Sequence, residues 1–236
     1  TTHGGRTTHG GRTTHGGRTP HRRCATHRWC ATHGAHHSGR AAYARVAGGI
    51  RRPTIVIIAL PHRRIPDATL RDGVSVVVAR VLRNDPRSVD PSIKSNNLLN
   101  NVLAMQEAIR QEAYEAILLN QRGEVTECSQ SNLFAVRDGV VLTPPLDSGL
   151  LEGVTRNFLF EVGAELGIPV REAVLHRADL EHVDELFITS TTREVIPVVR
   201  VDTRPVGSGR PGPIASRLLT RFRDRADLLT RTPAPG

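Results

Sequence analysis

Asp138-Gly139 stands between the alternating apolar runs 133–136 and 140–142. A two-residue hairpin turn needs positive φ at both central positions, and this dipeptide tolerates it, so the middle of the chain is committed to an antiparallel hairpin. Around it the periodicities alternate. Residues 54–60, a continuous β-branched run after Pro53, read as a buried strand, and residues 73–82 as a second. The apolar positions Leu98, Leu99, Val102, Leu103, Met105, Ala108 and Ile109 recur at helical spacing and predict an amphipathic helix over 96–112. Strands follow at 114–119, 125–128, 132–136 and 140–142. A helix over 154–166 is stopped by Gly167 and Pro169. A strand at 170–175, a short helix at 178–182, strands at 185–189 and 195–201, and a basic amphipathic helix over 214–229 complete the pattern. Hairpins interspersed with helices, without regular βαβ alternation, give an α+β class.

Residues 1–40 obey different rules. TTHGGR begins at positions 1, 7 and 13, and the histidine period continues through His21, His27 and His33. A six-residue period suits a parallel β-helix only where each repeat supplies an apolar residue, and here the candidates are Gly, Thr and His. With six apolar residues in forty, the segment cannot offset its chain entropy and is expected to be disordered. Its histidines with Cys24 and Cys30 could attract zinc or nickel, but the repeat is not a closed ligand set, and no metal site is assigned. The folded unit is placed at 41–230. The sole methionine is Met105, so the chain reads either as a fragment or as mistranslated repeat joined to a domain.

Charge narrows the function classes. The formal net charge of +9 resides in the tail, because residues 1–40 hold seven Arg and no acid, whereas 41–236 carry 25 basic against 23 acidic side chains. The folded part therefore offers no phosphate-tracking surface, and no nucleic-acid partner is expected. The longest apolar stretch, residues 55–60, is far below the roughly 20 residues that span a bilayer, so no membrane role is expected. The N-terminus lacks the apolar core of a secretory signal. Three cysteines, Cys24, Cys30 and Cys128, are too few for a disulfide framework, which points to a reducing cytoplasm.

Of the 32 basic residues, 31 are Arg, leaving Lys94 as the single lysine. A guanidinium stays charged and cannot become a nucleophilic amine, whereas an ε-amine can condense with an aldehyde such as that of pyridoxal phosphate. The other needs of that cofactor have candidates downstream. Glu127, in VTECSQSN, could pair with a pyridinium nitrogen. GVTR at 153–156 opens a helix and presents the amides of Val154 and Thr155 at its positive end to a phosphate. TSTT at 189–192 is a hydroxyl-rich turn after the strand ELFI. Each feature alone has an ordinary structural explanation; their joint presence in this order does not.

Taken together, IKSNNLLNNVLA, YEAILLNQRGEVTECSQSNLFAV, DGVVLTPPLDSGLLEGVTR and DELFITSTTREVIPVV resemble the large domain of the class IV, or fold type IV, pyridoxal phosphate aminotransferases, from about Tyr43 to about Arg223. The group includes branched-chain aminotransferase, D-amino-acid transaminase and aminodeoxychorismate lyase. The resemblance implies a mixed sheet in a barrel-like core with outer helices, a homodimer, and ping-pong transamination between an amino acid and a 2-oxo acid. It makes Lys94 the Schiff-base lysine and proton carrier, and Glu127 the pyridinium partner. It gives the phosphate to Val154, Thr155, Ser190 and Thr191, and the substrate carboxylate to the Thr191 and Thr192 amides.

Departures from the family pattern keep the choice of member open. The small N-terminal domain of the family, which supplies an Arg to the phosphate, is replaced here by the repeat. Leu99 and TSTTREVIPVV look like D-amino-acid transaminase, whereas Tyr43 and Arg45 are similar to the Tyr-x-Arg substrate-binding pair of branched-chain enzymes. The expectation is transamination of a branched-chain or D-amino acid. The alternatives are a lyase of the aminodeoxychorismate type, from which TSTT departs, and an inactive truncated large domain.

Overall fold

The computed structural model describes residues 64–231 together with 57, 59 and 61. The repeat, Cys24, Cys30, Tyr43, Arg45 and most of the strand expected at 54–60 lie outside the described residues.

The chain order is α1 (Asp67–Asp72), β1 (Val74–Val78), α2 (Leu99–Arg110), β2 (Glu115–Leu119), β3 (Val125–Cys128), β4 (Asn132–Arg137), β5 (Val140–Thr143), α3 (Val154–Leu166), β6 (Val170–Glu172), β7 (Glu185–Ser190), β8 (Glu194–Val201), β9 (Arg204–Pro205) and α4 (Pro213–Arg231). Short 3-10 turns span Leu146–Ser148 and Arg177–Glu181. One mixed sheet runs β3-β2-β1-β8-β7-β4-β5-β6, with β9 paired to β8. β1 is parallel to both β2 and β8, and the β7–β8 and β4–β5 pairs are antiparallel. Its outer strands curl toward each other: Val125 N donates to Leu175 O at 2.7 Å, and Glu124 bridges His176. The result is a half-barrel.

Period-two patterning explains the two faces. Val76, Ile117, Leu133, Ala135, Leu186, Ile188 and Ile196 fill the inside of the curve. Their neighbours Phe134, Val136, Phe187 and Val195 point outward and meet Leu159 and Val162 of α3 and Leu218 of α4. Phe134 and Phe187, paired across β4 and β7, stack at 5.1 Å. The mixed barrel-like sheet with outer helices that the family resemblance implies is what forms.

Sequence and structure differ in detail for physical reasons. The hairpin at Asp138-Gly139 has φ of 51° and 76°, as its residues require. The second strand ends at Val78 rather than 82, because Arg80 N and Val81 N donate to the Glu107 carboxylate at 2.9 and 3.2 Å instead of to a neighbouring strand. The strand at 170–175 stops at Glu172, and Leu175 crosses to β3. The helix α2 turns only part of its expected apolar stripe, Met105 and Ala108, toward the sheet. Ala104 and Ala108 are fully buried against Val77, Ala116 and Leu118, while Leu99, Val102, Leu103 and Ile109 are exposed. Small side chains let this helix approach the sheet closely, and Val102 and Ile109 are left at the mouth of the site described next.

Candidate functional site

A cavity of about 660 Å³ opens where the ends of β3, β7 and α3 converge beneath α2. It lies within the usual size range for small-molecule sites. Lys94, Glu127, Val154, Thr155, Ser190 and Thr191 all line it. These residues come from four segments separated by up to 97 positions, and the fold brings them to one hollow. Thr192 follows Thr191 as an exposed residue outside the cavity wall. Tyr43 and Arg45 lie outside the described residues.

Glu127 is set by burial and by two partners. Its Oε1 meets Arg83 Nη2 at 2.8 Å, both side chains being under a tenth exposed, and its Oε2 accepts Leu151 N at 3.1 Å. Burial pushes its carboxyl up to about 7, against the pull of the Arg83 guanidinium and the more distant Lys94. Desolvation thus outweighs the ion pair. Arg83 is itself oriented by the start of α2: its Nη1 donates to Asn100 Oδ1 at 3.0 Å and Asn101 Oδ1 at 3.3 Å, and Asn101 Nδ2 donates to Ser129 O at 2.9 Å. The neighbouring Cys128 is fully buried, and burial raises its thiol well above the ordinary value, so it is a packing residue rather than a nucleophile.

The same geometry aims α3. Leu151 is held from both sides, its N–H by Glu127 and its carbonyl by Asn132 Nδ2 at 2.9 Å. Gly153, the N-cap, has ordinary extended φ and ψ, yet glycine is required. A Cβ there would collide with Asn132 Oδ1. Gly153 also brings no side-chain cap, which leaves the first-turn amides of Val154 and Thr155 open at the positive helix end. Across the cavity, Thr189 Oγ1 is buried without a hydrogen-bond partner among the described residues. A buried hydroxyl left so implies that a polar ligand completes it.

Sequence reasoning did not find Arg83, Asn101 or Asn132. Arg83 is one guanidinium among many and carries no local signal. The adjacent pair Asn100-Asn101 at the start of a helix, where amides are poor helix formers, was the available hint.

The donor set fits pyridoxal phosphate. It offers a primary amine, a buried carboxylate, an uncapped helix N-terminus and an unsatisfied hydroxyl on one cavity.

Comparison with known proteins gives the same family. Residues 27–201 match the model described as amino-transferase class IV. The D-alanine aminotransferase of Listeria monocytogenes is 39% identical over 196 residues, covering 76% of this chain and 65% of that protein. The branched-chain-amino-acid aminotransferase of Escherichia coli K12 is 38% identical over 170 residues, covering 71% and 55%. The crystal structure of the Escherichia coli branched-chain enzyme superposes with a TM-score of 0.68 at 37% identity, over 70% of this chain and 55% of that one. That of a T.th. branched-chain amino acid aminotransferase with pyridoxamine 5'-phosphate gives 0.66 at 35% identity, over 72% and 55%. The chain thus spans between 55% and 65% of the length of these relatives. A match over most of the chain, together with this fold, places it plainly: the chain belongs to the class IV amino-transferase family.

Proposed function

We propose that this chain moves an amino group between an amino acid, branched-chain or D-configured, and a 2-oxo acid with pyridoxal phosphate as cofactor. The observation that carries this reading is the convergence of Lys94, Glu127, the open N-terminus of α3 and the Thr189–Thr191 turn on one cavity. When bound, the cofactor supplies a carbonyl carbon for amines to add to and a ring that accepts the electron pair of a breaking bond at Cα. The chain's own residues supply the rest. Lys94 provides the primary amine that seats the cofactor and then takes a proton from substrate Cα and returns it to the cofactor's C4′ carbon. Glu127, backed by Arg83, keeps the ring nitrogen protonated. The amides of Val154 and Thr155, with the hydroxyls of Thr155, Thr189, Ser190 and Thr191, hold the phosphate. The Thr191 and Thr192 amides, with Tyr43 and Arg45, receive the substrate carboxylate. Homodimerisation and a cytoplasmic setting belong to the same proposal.

The relatives named for D-alanine and for branched-chain amino acids define the substrates to try first. Full-length chain loaded with cofactor is mixed in single turnover with D-alanine, L-leucine or L-isoleucine. Conversion of the visible absorbance to that of the pyridoxamine form, with stoichiometric 2-oxo acid, is the expected result with at least one of them. A cofactor-loaded chain inert to all three contradicts the reading.

A further inference from the structure

Two of the cavity's turns are joined from behind by a charged group that the reaction scheme does not use. Glu115, the first residue of β2, is fully buried. Its carboxylate accepts Ser131 Oγ at 2.6 Å, Gln130 N at 2.9 Å and Ser129 Oγ at 3.4 Å, all in the turn that carries the chain from β3 to β4. The same carboxylate pairs with the Arg193 guanidinium. Arg193 lies two residues after Thr191, in the turn between β7 and β8. It also donates from Nη2 to Gln130 Oε1 at 2.7 Å and lies over the Tyr114 ring at 5.2 Å.

The turn so held is under backbone strain. Glu194, directly after Arg193, has φ of 54° without being glycine, a left-handed conformation that L-residues adopt only at a cost. Ion pairs anchor it on both sides: Arg193 to Glu115, and Glu194 to Arg223, whose Nε donates at 2.7 Å. A loop that would otherwise relax is therefore fixed relative to the turn of Ser129–Ser131, and both turns line the cavity.

We infer that the Glu115–Arg193 pair is a positioning clamp that sets the distance between the two ligand-binding turns, and that Arg193 thereby governs affinity for the phosphate-bearing cofactor without touching it. The inference rests on the proposed function. Because a hydrogen-bonded carboxylate inside a sheet is hard to replace without unfolding, the test is made at the partly exposed Arg193. Arg193→Ala, Arg193→Lys and Arg221→Ala are compared with the unaltered full chain, pyridoxal phosphate being titrated by its visible absorbance. Arg221 pairs with Glu165 between α4 and α3, away from the cavity, and controls for loss of a surface ion pair. Arg193→Ala is expected to raise the dissociation constant at least tenfold. Arg193→Lys, which keeps the charge but not the two-pronged contact, should fall between it and the parent, and Arg221→Ala should match the parent. Parent-like affinity in Arg193→Ala, or an equal loss in Arg221→Ala, overturns the clamp. If the unaltered chain takes up no cofactor, the proposed function fails first, which distinguishes the two failures.

Discussion

Lys94→Ala is expected to abolish amino-group transfer, lowering the rate by about 10⁴-fold or more, with the loss in kcat rather than in KM. The magnitude follows from the removal of two functions at once. The variant loses the only primary side-chain amine in the sequence, hence the covalent seat of the cofactor, and it loses the group that carries the proton. Nothing nearby can substitute. Among the described residues the other cation on the cavity wall is the Arg83 guanidinium, which is committed to Glu127. Because Lys94 is exposed and lies in an irregular segment between β1 and α2, the substitution should leave the thermal midpoint within about 2 °C of the parent. Activity and stability therefore separate, and a variant that retained both would show that the cavity works by other chemistry.

Glu127→Gln is expected to produce the second-largest effect, and a distinctive pH signature. A neutral amide cannot hold a pyridinium proton, so turnover should fall by about 10²-fold to 10⁴-fold while cofactor still attaches to Lys94. The signature lies in the cofactor-free chain. The Glu127 carboxyl is raised from 4.5 in the unfolded chain to about 7 in the fold, so between these values the folded state binds more protons than the unfolded one. Stability contributed by this group is therefore fully present below about pH 4.5 and is lost as pH rises through 7, by up to about 3 kcal/mol. Urea midpoints measured from pH 4.5 to 8 should decline in the parent relative to Glu127→Gln, whose amide does not titrate. Adding pyridoxal phosphate to the parent should flatten the decline, since a cation placed against the carboxylate lowers its affinity for protons. Parallel profiles for parent and variant would remove Glu127 from this role.

What could be read from the sequence divides along the range of the interactions. Local rules found the hairpin at Asp138-Gly139 and both ends of α3, because a two-residue turn and a glycine at each helix boundary write their geometry within a few residues. They missed α1, which follows Pro66 as six residues with none fully buried and so has no apolar stripe to recognise. They also missed β9, which is two residues long. The helix α2 was found but its inner face only in part: Met105 and Ala108 of the expected stripe do pack on the sheet, whereas Ala104 was passed over because Leu and Val advertise burial more strongly than a small side chain.

For the site, the residues assigned to cofactor chemistry carried unusual types or recognisable runs: a solitary lysine, a carboxylate in a strand, GVTR and TSTT. Their supports did not. Arg83 pairs with Glu127 across 44 positions and Arg193 with Glu115 across 78, and no periodicity encodes such a pairing. Of these four, Glu115 left a trace, as an acidic residue opening the otherwise apolar strand EAILL, where a buried charge demands partners.

We propose that Lys94 seats an aldehyde cofactor in this cavity, a bond that reductive trapping reads out. Full-length chain is incubated with pyridoxal phosphate, reduced with borohydride, digested and mapped by mass spectrometry. The predicted result is one phosphopyridoxyl group per chain, on the peptide containing Lys94, with a visible absorption band beforehand that reduction abolishes. A chain that shows no band and no label on Lys94, or that becomes labelled only at its N-terminal amine, contradicts that role for Lys94.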